Sequence, residues 1–346
     1  MLYVANLIFM LSLKICNPAI IFLFDFICNH FIVCIISALF NASSTMTNSA
    51  ATNNLREWPT WLAIIGVYAL WLITLRSFES IPFAPILLVI VLAFHGSVQH
   101  ELLHGNPSNN QNLNDFLAYP PLALWYPYPV YKRTHLAHHN NEDLTIPGVD
   151  PESYFLSKDR WNTLSKWRQQ LALFNMTLLG RLLLAPLHHF IGLKKQMVES
   201  IKKPASTSGR VWILHEFLAL ILLLLVGLIF EVNVFIYIIC AYFAQSVILL
   251  RSFYEHRVAA EPNHRSIIMK ASWPMRILYL NNNYHAIHHE HPGMSWYKLG
   301  KEYDSKRTYY EEKNDSFVEQ GYLRWFAKHA FKPVAHPKHL GFKQWK

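Results

Sequence analysis

Four stretches of this chain are apolar over close to the length that crosses a bilayer: Trp61 to Ser77, Ile81 to Gly96, Val211 to Phe230 and Val232 to Leu250. A transmembrane helix takes ~20 mainly apolar residues. The second stretch is short by itself but continues through Ser97 and Val98 to His104, so the expected spans are 61–77, 81–104, 211–230 and 232–250. Composition agrees, because charged residues make up only 15% of the chain, against roughly 25% in a soluble domain. Short turns within each pair of spans predict two helical hairpins.

Most of the 31 Lys and Arg lie in residues 105–209 and in the tail 251–346, and few lie in the two turns. The positive-inside rule puts both basic segments in the cytoplasm. The net charge of +9 is spread over these segments and forms no aromatic-interleaved stripe, so no nucleic-acid partner is expected. Within the middle segment, Leu171 to Leu193 is apolar but broken by Arg181, Pro186, His188 and His189, which favours a helix lying along the interface. The expected organisation is an apolar N-terminal segment and polar linker over 1–57, then one membrane domain over 58–346. Ala19 to Phe40 is a possible extra span, and Met46 is an alternative start.

Nineteen histidines are concentrated unusually. His100 and His104 stand in HELLH, His135, His138 and His139 in HLAHH, and His285, His288 and His289 in HAIHH. Spacings of i, i+3 and i+4 bring imidazoles onto one side of a helix, and two hairpins returning to one membrane face bring the three motifs together. Neutral imidazole suits iron, copper, nickel and zinc. Eight such ligands exceed even an octahedral shell and imply two metal ions. His256, just past the last span beside Glu255, is the candidate ninth. Metal-bound imidazoles need acceptors on their other nitrogen; Glu101, Glu142, Asp143, Asp150, Glu152, Glu255 and Glu290 are available.

HELLH alone also matches the zinc protease pattern HExxH, with Glu101 as general base, and a histidine-rich membrane chain could be a metal transporter. The two HxxHH motifs weigh against the protease, and the position of the motifs at a span end and in basic segments weighs against the transporter. His95 and His215 are expected in helix-packing hydrogen bonds and His188 and His189 at the interface. His264, His329, His336 and His339 are expected at the surface. His-Pro-Gly at His291 lacks the final glycine and the partner segment of a haem site. Trp125, Tyr126, Tyr128 and Tyr131 line either a substrate tunnel or an interfacial belt.

In order and spacing, HELLH, HLAHH and HAIHH closely resemble the three histidine boxes of the membrane fatty acid desaturase family, over roughly Trp58 to Leu299. Details around the first and last boxes are also similar to bacterial hydrocarbon oxygenase-like members. The resemblance implies an all-α integral membrane protein, with four core spans and a cytoplasmic helical cap, in a bacterial inner membrane. It implies a non-haem di-iron centre held by His100, His104, His135, His138, His139, His285, His288 and His289, with His256 as the extra ligand. It further implies use of dioxygen and two electrons to desaturate a fatty acyl chain, or to hydroxylate a lipid or hydrocarbon at the same centre. The chain has no dinucleotide fingerprint, four-cysteine iron–sulfur pattern or b5 segment, so electrons must come from a ferredoxin or cytochrome b5 type donor.

Overall fold

The computed structural model describes residues 57–203, 207–339 and 341. The expectations for an extra N-terminal span and a start at Met46 lie outside the described residues.

In chain order the helices are α1 (Trp58–Arg76), α2 (Ala84–Leu103), α3 (Gln111–Ala118), α4 (Tyr128–His139), α5 (Lys158–Thr163), α6 (Lys166–Phe174), α7 (Leu178–Ile201), α8 (Thr207–Leu228) and α9 (Val234–Glu255). The tail adds α10 (Trp273–Leu278), α11 (His285–Glu290), α12 (Trp296–Ser305), α13 (Arg307–Lys313) and α14 (Tyr322–His329). Two short parallel strands, β1 (Ile268–Met269) and β2 (Val318–Glu319), pair Ile268 with Val318.

Helices α1, α2, α8 and α9 are long and apolar enough to cross a membrane. Their 19, 20, 22 and 22 residues give lengths of about 28–33 Å at ~1.5 Å per residue, close to a hydrocarbon core. Prolines in the first turns of α1 and α2 set where those helices begin. Asn233 caps α9, accepting from the N–H groups of Phe235 and Ile236. α9 runs five residues past the expected end at Leu250, because Arg251 and Glu255 sit one turn apart with Nε and Oε1 at 3.0 Å. Their charges end the apolar run, not the helix.

α2 packs against both α1 and α9. At the crossing with α9, a Cβ on Gly96 would lie 2.5 Å from Ile248 Cδ1, so glycine permits this approach one turn before His100.

The segment expected as one interfacial helix over 171–193 is two helices, α6 and α7, meeting at 112°. Thr177 caps α7 through the N–H of Gly180, and α7 packs on both α8 and α9. Pro186 lies inside α7 and offers no N–H to the carbonyl of Leu182 one turn earlier. The hydroxyl of Ser246 on α9 donates to that carbonyl at 2.7 Å. The helix therefore continues through a proline because its neighbour supplies the missing donor.

Beyond the long helices, two apolar cores support the tail. One gathers Phe155, Phe253, Tyr254, Ile267, Tyr279 and Trp325, and the other gathers Ile268, Tyr284, Ile287, Leu299 and Tyr303.

Candidate metal centre

Four segments supply the imidazoles. His100 lies in the last turn of α2 and His104 is its C-cap; the HLAHH histidines end α4; His285, His288 and His289 lie on α11. His256 follows α9 in extended conformation, pinned by a bridge to Ser266 and by the N–H of Arg257 on the carbonyl of Arg265.

The nine rings sort into two groups. His100, His104, His135, His139 and His288 form the first, and His138, His256, His285 and His289 the second; within each group the ligand nitrogens lie within 4.8 Å of one another. Each HxxHH helix feeds both groups. On α4 the i, i+4 pair His135/His139 joins the first and His138 the second; on α11 the pair His285/His289 joins the second and His288 the first.

Ring nitrogens face each other closely: His135 to His104 at 3.1 Å, His139 to His135 at 3.1 Å, His138 to His256 at 3.0 Å and His285 to His256 at 3.0 Å, all between Nε2 atoms. Two ligands at right angles on one ion at ~2.1 Å stand about 3.0 Å apart. Acceptors hold the opposite nitrogens. His135 Nδ1 meets Glu152 Oε1 at 2.9 Å, and His138 Nδ1 meets Asp150 Oδ1 at 2.8 Å. Protons held at Nδ1 leave Nε2 lone pairs pointing at one another, an arrangement that a cation between them stabilises. His100 Nε2 is buried with no partner among the described residues.

The electrostatics favour the ligand form. Burial first, and neighbouring imidazoles second, hold His139, His256, His285, His288 and His289 well below the ordinary histidine pKa. Burial also works against the charges on Asp150 and Glu152, yet the facing histidines keep both carboxyls below their usual range.

The three asparagines before α11 fix it from three sides, and all are buried. Asn281 donates to the carbonyl of Trp296 at 2.9 Å and accepts from Arg276 Nε at 2.8 Å. Its φ of 55° is the left-handed conformation that asparagine tolerates. Asn282 donates to Glu255 Oε1 at 2.8 Å, and Asn283 to the carbonyl of Met269 at 2.7 Å. Glu255 in turn lies 3.5 Å from His285 Nδ1.

A fatty acid desaturase family model matches residues 77–321, well over half of the chain. The chain belongs to the fatty acid desaturase family. No curated protein matches it. Membership makes this desaturase-family protein an oxidoreductase acting on lipid with an external electron donor. Together with the four apolar helices and two imidazole groups, it describes a membrane di-metal enzyme.

Other residues of this family member take different places. Glu101 accepts from the N–H of Trp296 at 2.9 Å and from Asn106 at 3.1 Å, so it ties α2 to α12. Glu290 pairs with Lys313 at 2.8 Å and accepts from Tyr309, and Glu142 contributes its backbone carbonyl to Arg265. His329 and His339 are buried, not at the surface: each caps local backbone, and His339 also meets Thr145 Oγ1 at 3.1 Å. Isolated histidines carry no periodic signal of such tail packing. His215 bonds the carbonyl of Leu124 as expected of a packing residue, whereas both ring nitrogens of buried His95 lack partners among the described residues. Arg251 and the Asn281–Asn283 supports escaped sequence reasoning. The run of three asparagines beside a histidine box was their available signal.

Proposed function

We propose that the nine imidazoles hold two iron ions and that the protein desaturates a fatty acyl chain, using dioxygen and two electrons from a ferredoxin or cytochrome b5 type donor. The observation carrying this reading is the division of the nine rings into groups of five and four, with Nε2 atoms 3.0–3.2 Å apart. Bound iron supplies the oxidising power for removing hydrogen from an unactivated carbon.

The chain's own residues do the remaining work. Asp150 and Glu152 keep the protons of His138 and His135 on Nδ1, leaving Nε2 free to ligate. Glu255 and Asn282 orient His285 from behind. Burial of His100, His135, His138, His285 and His288 keeps bulk water from the centre. The Lys and Arg excess outside the apolar helices supports a cytoplasmic site and steers an acidic donor towards it.

Mass spectrometry of lipids from cells expressing the full chain tests this reading. Products lacking two hydrogens are expected; products gaining one oxygen would instead assign hydroxylation, and unchanged lipids would refute both.

A further inference from the structure

Imidazoles of the metal centre line two of the molecule's cavities. In the first group His100, His135 and His288 are buried, while His104 and His139 are half-buried. Both half-buried rings line a cavity of about 290 Å³ walled by Leu103 and Leu136, with Asn140 and Gly293 exposed at its mouth. In the second group His256 lines a larger cavity of about 550 Å³ beside α14. Charge separates the two. The larger cavity is lined by Arg257, Lys328 and Lys338 against Glu319 alone, so its field opposes an approaching cation. The smaller one is lined only by imidazoles and uncharged groups.

The walls of the smaller cavity are fixed on both sides. Asn106 donates to Glu101 Oε1 at 3.1 Å and to the carbonyl of Gly293 at 3.4 Å, which holds the loop after α11 against the end of α2. Gln111 donates to the carbonyl of Leu102 at 3.3 Å and to Asp115 Oδ1 at 2.7 Å. Glycine keeps the mouth clear, because a Cβ on Gly293 would stand 4.0 Å from the carbonyl oxygen of His104. Past the mouth, His104 and His139 each face His135, Nε2 to Nε2, at 3.1 Å. His139 also stacks on His289 of the second group at 4.2 Å. The opening therefore reaches the first group directly and the second through it.

We propose that this cavity is the route by which a divalent metal ion enters and leaves the centre, and that His104 and His139 are the first protein ligands it meets. A buried metal site needs an entry path as much as a donor set. An incoming ion exchanges water for the two half-buried imidazoles, then gains the buried ones behind them. The inference rests on the reading that the two imidazole groups hold metal ions.

The test uses the purified full chain with its metal in place. Release into excess chelator gives the rate, and equilibrium competition with the same chelator gives the affinity. Gly293→Trp and Asn140→Trp each place a ring at the mouth and leave all nine imidazoles in the chain. Each is expected to slow release by about tenfold or more at unchanged affinity, because a route sets the rates in both directions and leaves the equilibrium alone. Val334→Trp, in the larger cavity, is expected to leave release unchanged. The two mouth variants are independent, so either one decides if the other fails to fold.

Wild-type release rates in folded mouth variants would overturn the proposal. Slowing by Val334→Trp alone would also overturn it and assign the route to the larger cavity. So would a fall in affinity with release not slowed, which would give the mouth residues a structural role only. A wild-type chain that binds no metal would instead refute the metal reading itself, and the proposal with it.

Discussion

His138 Nδ1 and Asp150 Oδ1 meet at 2.8 Å, and each side chain is 2% exposed. Asp150 also accepts from the N–H groups of Thr145 and Glu152, at 2.8 and 2.9 Å. The carboxylate is therefore fixed before any metal arrives, and it fixes the ring in turn. Asp150→Asn keeps the shape but loses the charge that holds the His138 proton at Nδ1. Metal affinity of the second group is expected to fall 10–100-fold, as is typical for outer partners of metal-bound histidine. Chelator competition against purified protein measures it, and an unchanged affinity would count against the assigned role.

His256→Ala leaves the second group with His138, His285 and His289 and leaves all five members of the first group in place. Metal content is expected to drop from about two ions per chain towards one, since the first group keeps its full donor set. Elemental analysis of the variant reads this directly. Retention of both ions would remove His256 from the ligand set.

Ser246 supplies the hydrogen bond that Pro186 cannot. Ser246→Ala leaves the carbonyl of Leu182 unpaired inside the bundle and is expected to destabilise the protein by about 1–3 kcal/mol. Adding Pro186→Ala restores an N–H one turn away and should recover most of the loss. Thermal melting in detergent compares the single and double variants, and equal melting temperatures for wild type and Ser246→Ala would refute the compensation.

The approach of α2 to α9 depends on Gly96 facing Ile248. Gly96→Leu is expected to cost about 1–3 kcal/mol through overpacking, and Ile248→Ala in the same chain should relieve part of it. Non-additivity in the double-mutant cycle is the diagnostic; strictly additive losses would mean that the side chain finds room elsewhere.

The long apolar helices were readable because hydropathy over ~20 residues is a strong signal, and the histidine motifs because i, i+3 and i+4 spacing is local. Their allocation was not readable. Whether His138 joins His135 or His256 depends on how α4 and α11 face each other, which no local pattern encodes. The end of α9 was misjudged because Arg251 and Glu255 interrupt hydropathy while continuing the helix as an i, i+4 pair. The break before α7 rests on the Thr177 cap, and the passage of α7 through Pro186 was hidden because Ser246, sixty residues downstream, supplies the needed donor.

Metal content of the purified full-length protein bears most directly on the central claim. Two irons per chain are expected, with a Mössbauer signature of a coupled pair. His288→Ala and His289→Ala combined take one ligand from each group and are expected to bring the metal content well below two. A single zinc per chain, or metal content indifferent to those substitutions, would contradict it.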